Sequence, residues 1–347
     1  MNRTLMTRVL SLGLAFVLLL ACSSGSDKAS PSSNSASASP TTTAPVSTHA
    51  TGPSAGCHGT PVAAPGSRDE TITSGGKDRV YELDVPDSYD GTKPYAIVFG
   101  LHALSISYKF IPSVTGISDM LKRYDFIGVA PSGLVDGTTP YWNAAPVADN
   151  YDIDFFNALL DHLEATLCID TARVFSMGQS NGAQMSELLA CRLPDRITAI
   201  GPVAGVEFPP PCDGAPVPII AFHGTADPIL PYAGGGLNAT KIADDQFYKG
   251  HLPPGLPPPL GVDDSIELWA KHNGCDPTFV ETQVSPEVKL RTWPNCKAAT
   301  KLYIIVGGGH SWPGKPFPMF EAQFGHTTTD IDATELIFSF FFDGQPK

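Results

Sequence analysis

Residues Val174-Phe175-Ser176-Met177-Gly178-Gln179-Ser180-Asn181-Gly182-Ala183 decide the fold. Val174, Phe175 and Met177 suit a short buried strand, and a helix is expected from about Asn181 to Cys191. Between them Gly178-Gln179-Ser180-Asn181-Gly182 fits G-x-S-x-G in the strand–turn–helix setting that presents a reactive serine. Such a turn strains the backbone at Ser180 and leaves no room for side chains at Gly178 and Gly182. The hydroxyl then stands at the carboxyl end of the strand, where the N–H groups and dipole of the next helix favour negative charge. A glycine-rich turn with an incidental serine is the plainer alternative, and the flanking strand and helix weigh against it.

Outward from this turn the chain alternates strands and helices. Asp69–Thr73 and Arg79–Val85 alternate apolar and polar residues around Ser74-Gly75-Gly76-Lys77, as an edge hairpin does. Tyr95–Leu101, Phe126–Ala130, Ile197–Ala204, Val217–Phe222 and Leu302–Val306 are continuous apolar runs, suited to buried parallel strands. Helices are expected at 116–123, 152–167, 264–273 and 332–342; Phe155, Leu159, Leu160 and Leu163 mark one face of the second. Residues 131–151 are expected to be loop, and Phe279–Val284 with Val288–Trp293 a hairpin. Residues 233–262, rich in Gly and Pro, suggest a stiff insertion above the domain. The fold class is α/β, a mostly parallel central sheet with helices on both faces and its site beyond the strands' carboxyl ends.

A serine hydroxyl becomes nucleophilic when a base takes its proton and a carboxylate orients that base. Of nine histidines, His310 follows the last buried strand within Gly307-Gly308-Gly309-His310-Ser311-Trp312. His102 and His223 sit at strand ends in tight turns, where imidazoles mostly bond to backbone; His49 and His162 lie in the tether and within a helix. Asp227 stands five residues beyond Phe222, and Asp244, Asp245 and Asp276 fit worse because none closely follows a buried strand. The order Ser180, Asp227, His310 is that of three residues on strand tops of one parallel sheet. Asn181 is expected to give one oxyanion N–H and Ala103 or Leu104 the other. Gln179, Trp142, Tyr232 and Trp312 are candidates for the substrate face, with loop packing the alternative for each aromatic.

The ends of the chain speak to export. Arg3 and Arg8, the apolar run Val9–Leu20 and Leu19-Leu20-Ala21-Cys22 have the layout of a signal segment, with Cys22 the candidate lipidation site and membrane anchor. An ordinary secretory signal is the alternative. Losing Arg3 and Arg8 takes the formal charge from −13 to −15, an acidic balance that argues against nucleic acid as partner. Residues 23–56 are Ser, Thr, Ala and Pro, a disordered tether by composition, and 57–347 make one catalytic domain. Seven cysteines leave six once Cys22 is lipidated. Cys275 and Cys296 flank a hairpin and are expected to pair; Cys168 with Cys191 is expected from the sheet's lower edge, and Cys57 with Cys212 by elimination.

The sequence resembles the exported poly(3-hydroxybutyrate) depolymerase and feruloyl/acetylxylan esterase branch of the α/β-hydrolases, in its actinobacterial lipoprotein form. The resemblance rests on Val174–Gly182, Leu189–Gly205, Phe222–Tyr232, Gly307–Gly314 and Asp330–Glu335. It implies the α/β-hydrolase fold and a serine esterase without metal or cofactor, with Ser180, Asp227 and His310 as nucleophile, acid and base. The implied substrates are small or polysaccharide-linked esters, feruloyl or acetyl first and short polyhydroxyalkanoates second. His102-Ala103 stands where the family usually has His-Gly, so the second oxyanion donor stays open between Ala103 and Leu104. A surface lipoprotein that binds a ligand on a hydrolase scaffold without catalysis is the rival reading.

Overall fold

The computed structural model describes residues 51–59, 62–236 and 258–343. The edge hairpin is β1 (Gly66–Ser74) and β2 (Lys77–Val85), turning at Gly75 and Gly76, both in left-handed backbone. The buried runs become β3 (Tyr95–Leu101), β4 (Ile127–Pro131), β7 (Ile169–Gln179), β8 (Ala199–Val203), β9 (Ile219–Gly224) and β12 (Thr300–Ile305). The cysteine-flanked hairpin is β10 (Val280–Ser285) and β11 (Val288–Thr292). Among the described residues ten strands make one sheet in the order β1-β2-β4-β3-β7-β8-β9-β12-β11-β10. The six from β4 to β12 in that order run parallel, and the hairpins add antiparallel edges.

Alternate residues of each buried strand point to opposite faces, so continuous apolar runs supply two cores. Ile97, Phe99 and Leu101 meet helices Tyr151–Thr166, Asn181–Arg192 and Val262–His272 through Phe155, Leu159, Met185, Leu188, Ile266 and Trp269. Val98, Phe175 and Phe222 meet helices Ile117–Tyr124 and Ala333–Phe342 through Met120, Ile337, Phe338 and Phe341. Phe175 stacks on Phe341 with centroids 4.7 Å apart. At about 2 kcal/mol per buried apolar side chain, these faces hold the sheet rigid beneath its carboxyl rim.

Three features depart from expectation. Residues 131–151 contain a second small hairpin, β5 (Leu134–Asp136) and β6 (Thr139–Tyr141), whose three-residue strands are too short to show alternation. The ordered domain begins before Cys57: Ser54 N and Oγ bond to Ile169 O and Leu167 O, and Gly56 N to Glu164 O. A Cβ at Gly56 would lie 2.4 Å from Leu167 O, so the segment lies flat on that corner. This carries Cys57 to Cys168, so the bonds are Cys57–Cys168, Cys191–Cys212 and Cys275–Cys296. The expected Cys168–Cys191 and Cys57–Cys212 pairs are wrong, because the N-terminal segment rather than the helix end reaches Cys168. Cys191, in the last turn of its helix, meets the loop after β8 instead. Three disulfides place folding in an oxidising compartment, outside the cytosol.

The signal segment, Cys22 and residues 23–50 of the expected tether lie outside the described residues, as does 237–257 of the insertion, with Asp244 and Asp245. Its described flanks close on each other: Gly235 N donates to Pro259 O at 3.0 Å and Val262 N to Tyr232 O at 2.9 Å.

Candidate active site

The elbow forms because nothing but glycine fits around it. Ser180 has φ 56° and ψ −121°, between the end of β7 and helix Asn181–Arg192. A Cβ on Gly178 would lie 2.5 Å from the Gly182 carbonyl, and one on Gly182 2.3 Å from Leu101 O. Gly205 is confined in the same way by Ser180 O, at 2.5 Å. The Ser180 hydroxyl makes no capping bond to the helix it precedes and is left for chemistry. Strain of this kind, held by over-determined packing, is a mark of functional turns.

Register explains how the other two residues reach this rim. Gln179 pairs with Val203, Val203 with Phe222 and Phe222 with Tyr303, a line at which β7 and β8 end and which β9 and β12 overrun by two residues. Ser180 is one residue past that line, Asp227 five past it and His310 seven. Strands lie about 4.8 Å apart, so β12 is roughly 14 Å from β7 and its loop must fold back across β9. It does so at Gly224, where a Cβ would lie 2.2 Å from Gly308 O; Ala226 N donates to that same carbonyl at 2.9 Å. Gly309 is pressed equally hard by Phe324 O, at 2.1 Å from its Cβ position. The glycine run therefore crosses the end of β9 and is clamped from the far side by residues 324–326.

His310 Nδ1 lies 2.8 Å from Asp227 Oδ2. Asp227 Oδ1 accepts Ile229 N–H at 2.8 Å and Leu230 N–H at 2.9 Å, so the carboxylate is held at both oxygens. Burial on its own would raise this carboxyl; the His310 hydrogen bond and charge, then the His223 charge, outweigh it and hold Asp227 below the usual carboxylate value. With Nδ1 donating to Asp227, Nε2 is the His310 nitrogen free to take a proton. Ser180, Asp227 and His310 are all nearly buried, at 6%, 5% and 7% exposure, where charge interactions are strong.

The other two strand-end histidines are structural, as their turns suggest. His223 bonds to Leu230 O at 2.9 Å and stands 3.4 Å from Asp227, and burial pushes it below its ordinary value. His102 is fully buried; its Nε2 accepts Gly133 N–H at 2.9 Å and its Nδ1 faces Ala103 O at 2.8 Å. Burial pushes it down to about 4 from 6.5, with the Arg79 charge helping and the Ala103 carbonyl opposing. Between pH 6.5 and 4 the unfolded chain thus takes up a proton that the folded one refuses. Stability is complete above this window and falls with pH through it, by about 3 kcal/mol at its foot. His102→Asn should therefore show a shallower decline in urea midpoint from pH 7 to 4 than the native chain. An equal slope in the two would remove His102 from the acid response.

The aromatics expected at the substrate face are mostly elsewhere. Trp142, 2% exposed, packs on His102 and Phe156, and its Nε1 donates to His102 O at 3.0 Å. Its backbone is clasped by the Asn181 amide, which accepts Trp142 N–H at 2.8 Å and donates to Trp142 O at 3.1 Å. Trp312, also 2% exposed, bonds to Thr334 and belongs to the core beneath helices Ile117–Tyr124 and Ala333–Phe342. Both are corrected to packing residues. Tyr232 is half-buried, its hydroxyl 2.6 Å from Asp263, and Gln179 is half-buried at the end of β7. Ala103 and Leu104 are partly exposed directly after β3, on the loop that follows His102. Unforeseen was a carboxylate pair beside the elbow: both Glu187 oxygens accept Glu207 N–H, and Gln184 donates to Glu207 at 2.7 Å. Burial pushes both acids up. No spacing in the sequence announces a contact across 20 residues.

A mostly parallel sheet with a strained serine elbow and a buried Asp–His pair on one rim defines an α/β-hydrolase. No family model matches the sequence. The chain is 33% identical to feruloyl esterase D of Neurospora crassa over 282 residues, covering 78% of this chain and 86% of that protein. It is 26% identical to NocK of Nocardia uniformis, over 97% of this chain and 99% of the other. The acetyl xylan esterase from Aspergillus awamori shares the fold, with TM-score 0.51 and 15% identity over 70% of this chain and 94% of that one. The chain belongs to the feruloyl esterase family of α/β-hydrolases. It is a serine esterase, a hydrolase of carboxylic esters.

Proposed function

We propose that Ser180 is the nucleophile, His310 its base and then acid, and Asp227 the residue that orients the imidazole. Ser180 Oγ attacks the ester carbonyl while His310 Nε2 takes its proton; the tetrahedral adduct collapses as that proton passes to the leaving alcohol. Water, deprotonated by the same nitrogen, then releases the acid and restores the serine. The oxyanion is held by Asn181 N–H and by that of Ala103 or Leu104, donors whose removal typically costs about a hundredfold or more. The observation that carries this reading is the 2.8 Å Asp227–His310 contact on the rim where the Ser180 elbow ends.

The substrates favoured are hydroxycinnamoyl and acetyl esters of polysaccharide, supported by relatives named feruloyl esterases. Purified protein assayed on feruloyl, acetyl and 3-hydroxybutyryl esters, with Ser180→Ala as control, tests both parts. Turnover confined to hydroxybutyryl oligomers would move the assignment to polyester, and failure to react with a fluorophosphonate would mark a binding scaffold. We also propose lipid attachment at Cys22, which is supported by the pairing of all six other cysteines. Cys22→Ser should release the protein from the membrane fraction into the medium, and retention there would end the idea.

A further inference from the structure

Most large apolar side chains are buried, yet Phe317, Met319 and Phe320 are 53%, 78% and 42% exposed in the space of four residues. Phe317 and Phe320 stack with centroids 5.1 Å apart and planes 12° from parallel. Phe320 meets Phe324 edge-on at 5.8 Å, and Phe324 lies 6.1 Å from the His310 ring. A stair of three rings thus descends from the surface to the imidazole. It is rigid at both ends. Pro316 and Pro318 fix the backbone on either side of Phe317. Lys315 is tied to Asp332 at 2.7 Å, and Phe324 O accepts His310 N–H at 2.6 Å. Beyond it, exposed His326 is paired with Glu287 at 3.0 Å.

We propose that this stair is the subsite for the sugar chain carrying the ester, so that Phe317 and Phe320 bind the leaving alcohol and not the acyl group. The inference rests on the esterase mechanism above. In that mechanism the imidazole hands its proton to the departing oxygen, so the alcohol lies against His310 while the oxyanion faces Asn181. A surface continuous with the His310 ring is therefore an alcohol-side surface. Phe317 stands three ring-to-ring steps from His310, a reach that a short alcohol does not have and an oligosaccharide does. Glu321 and Gln323, exposed, lie between Phe320 and Phe324 in the chain, so the segment offers apolar faces beside polar side chains, which matches a pyranose or furanose ring better than an alkyl chain. Exposed aromatic patches rimmed by polar residues mark such ligand grooves.

The test compares two esters of one acid, a feruloylated arabinoxylan oligosaccharide and methyl ferulate. Phe317→Ala should lower kcat/KM roughly three- to tenfold on the oligosaccharide ester, mainly through KM, and leave methyl ferulate unchanged. Phe317→Trp should restore the oligosaccharide activity. A separate reading, the retardation of Ser180→Ala protein in arabinoxylan gels, should weaken with Phe317→Ala. Equal losses on both esters would assign the rings to the acyl group and overturn the proposal. So would unchanged kinetics and gel mobility accompanied by lost binding to phosphatidylglycerol vesicles, which would make the patch a membrane contact. If native protein hydrolyses neither ester while Phe317→Ala still weakens gel retardation, the esterase mechanism fails and the sugar platform stands.

Discussion

Ser180→Ala should lower p-nitrophenyl acetate turnover by about 10⁴- to 10⁶-fold while the thermal midpoint moves by no more than a few degrees. The chemical half follows from removing the only atom that forms the acyl bond; what remains is binding and oxyanion stabilisation. The structural half follows from the elbow itself. Its shape is imposed by contacts of Gly178, Gly182 and Gly205 with backbone, and by Ser180 N–H bonding to Val203 O at 2.9 Å. The hydroxyl supports none of these and does not cap the helix. Alanine adopts φ 56° about as reluctantly as serine, so the substitution adds little strain. Paired steady-state kinetics and melting curves separate the two halves. Turnover within tenfold of native would remove Ser180 from the chemistry, and a collapsed midpoint would show that the hydroxyl has a packing role.

The parallel part of the fold was legible because its strands are buried on both faces and so appear as unbroken apolar runs: Tyr95–Leu101 matches β3 residue for residue. The candidate site was legible because each proposed residue closely follows such a run, and neighbouring parallel strands that end within two residues of one line turn sequence position into spatial position. Where contact depends on chains meeting across the fold, that logic stops. Cys57 pairs with Cys168 because residues 54–56 lie along the end of one helix, a docking written in backbone hydrogen bonds and not in spacing. Trp142, a candidate for the substrate face with loop packing as its alternative, is drawn inward by the Asn181 amide and the His102 carbonyl. Nor does spacing show that the glycines before His310 press on Gly224 and Phe324.

Asp227→Asn is expected to cost nearly as much activity as the serine change, about 10⁴-fold in kcat at neutral pH, with the fold again intact. An asparagine at this position keeps an oxygen for the Ile229 and Leu230 N–H groups, so the turn survives. Its NH₂ then faces His310 Nδ1, where a carboxylate oxygen accepts the Nδ1–H hydrogen bond in the native protein. Two donors cannot share that contact. The imidazole responds by moving its proton to Nε2, the nitrogen that must be bare to receive the serine proton, and the base is lost while every heavy atom stays in place. Asp227→Ala makes the contrast: it frees His310 to choose either tautomer but strips two buried N–H groups of their acceptor, at about 1–3 kcal/mol for each. The asparagine variant should thus be stable and inactive, and the alanine variant measurably less stable by urea titration. Activity in Asp227→Asn within tenfold of native would mean that another carboxylate orients His310. Since His223 also stands 3.4 Å from Asp227, the same measurement on His223→Asn shows whether the second imidazole shares in holding the acid; a loss there well below that of Asp227→Asn leaves the 2.8 Å contact to His310 as the one the reaction depends on.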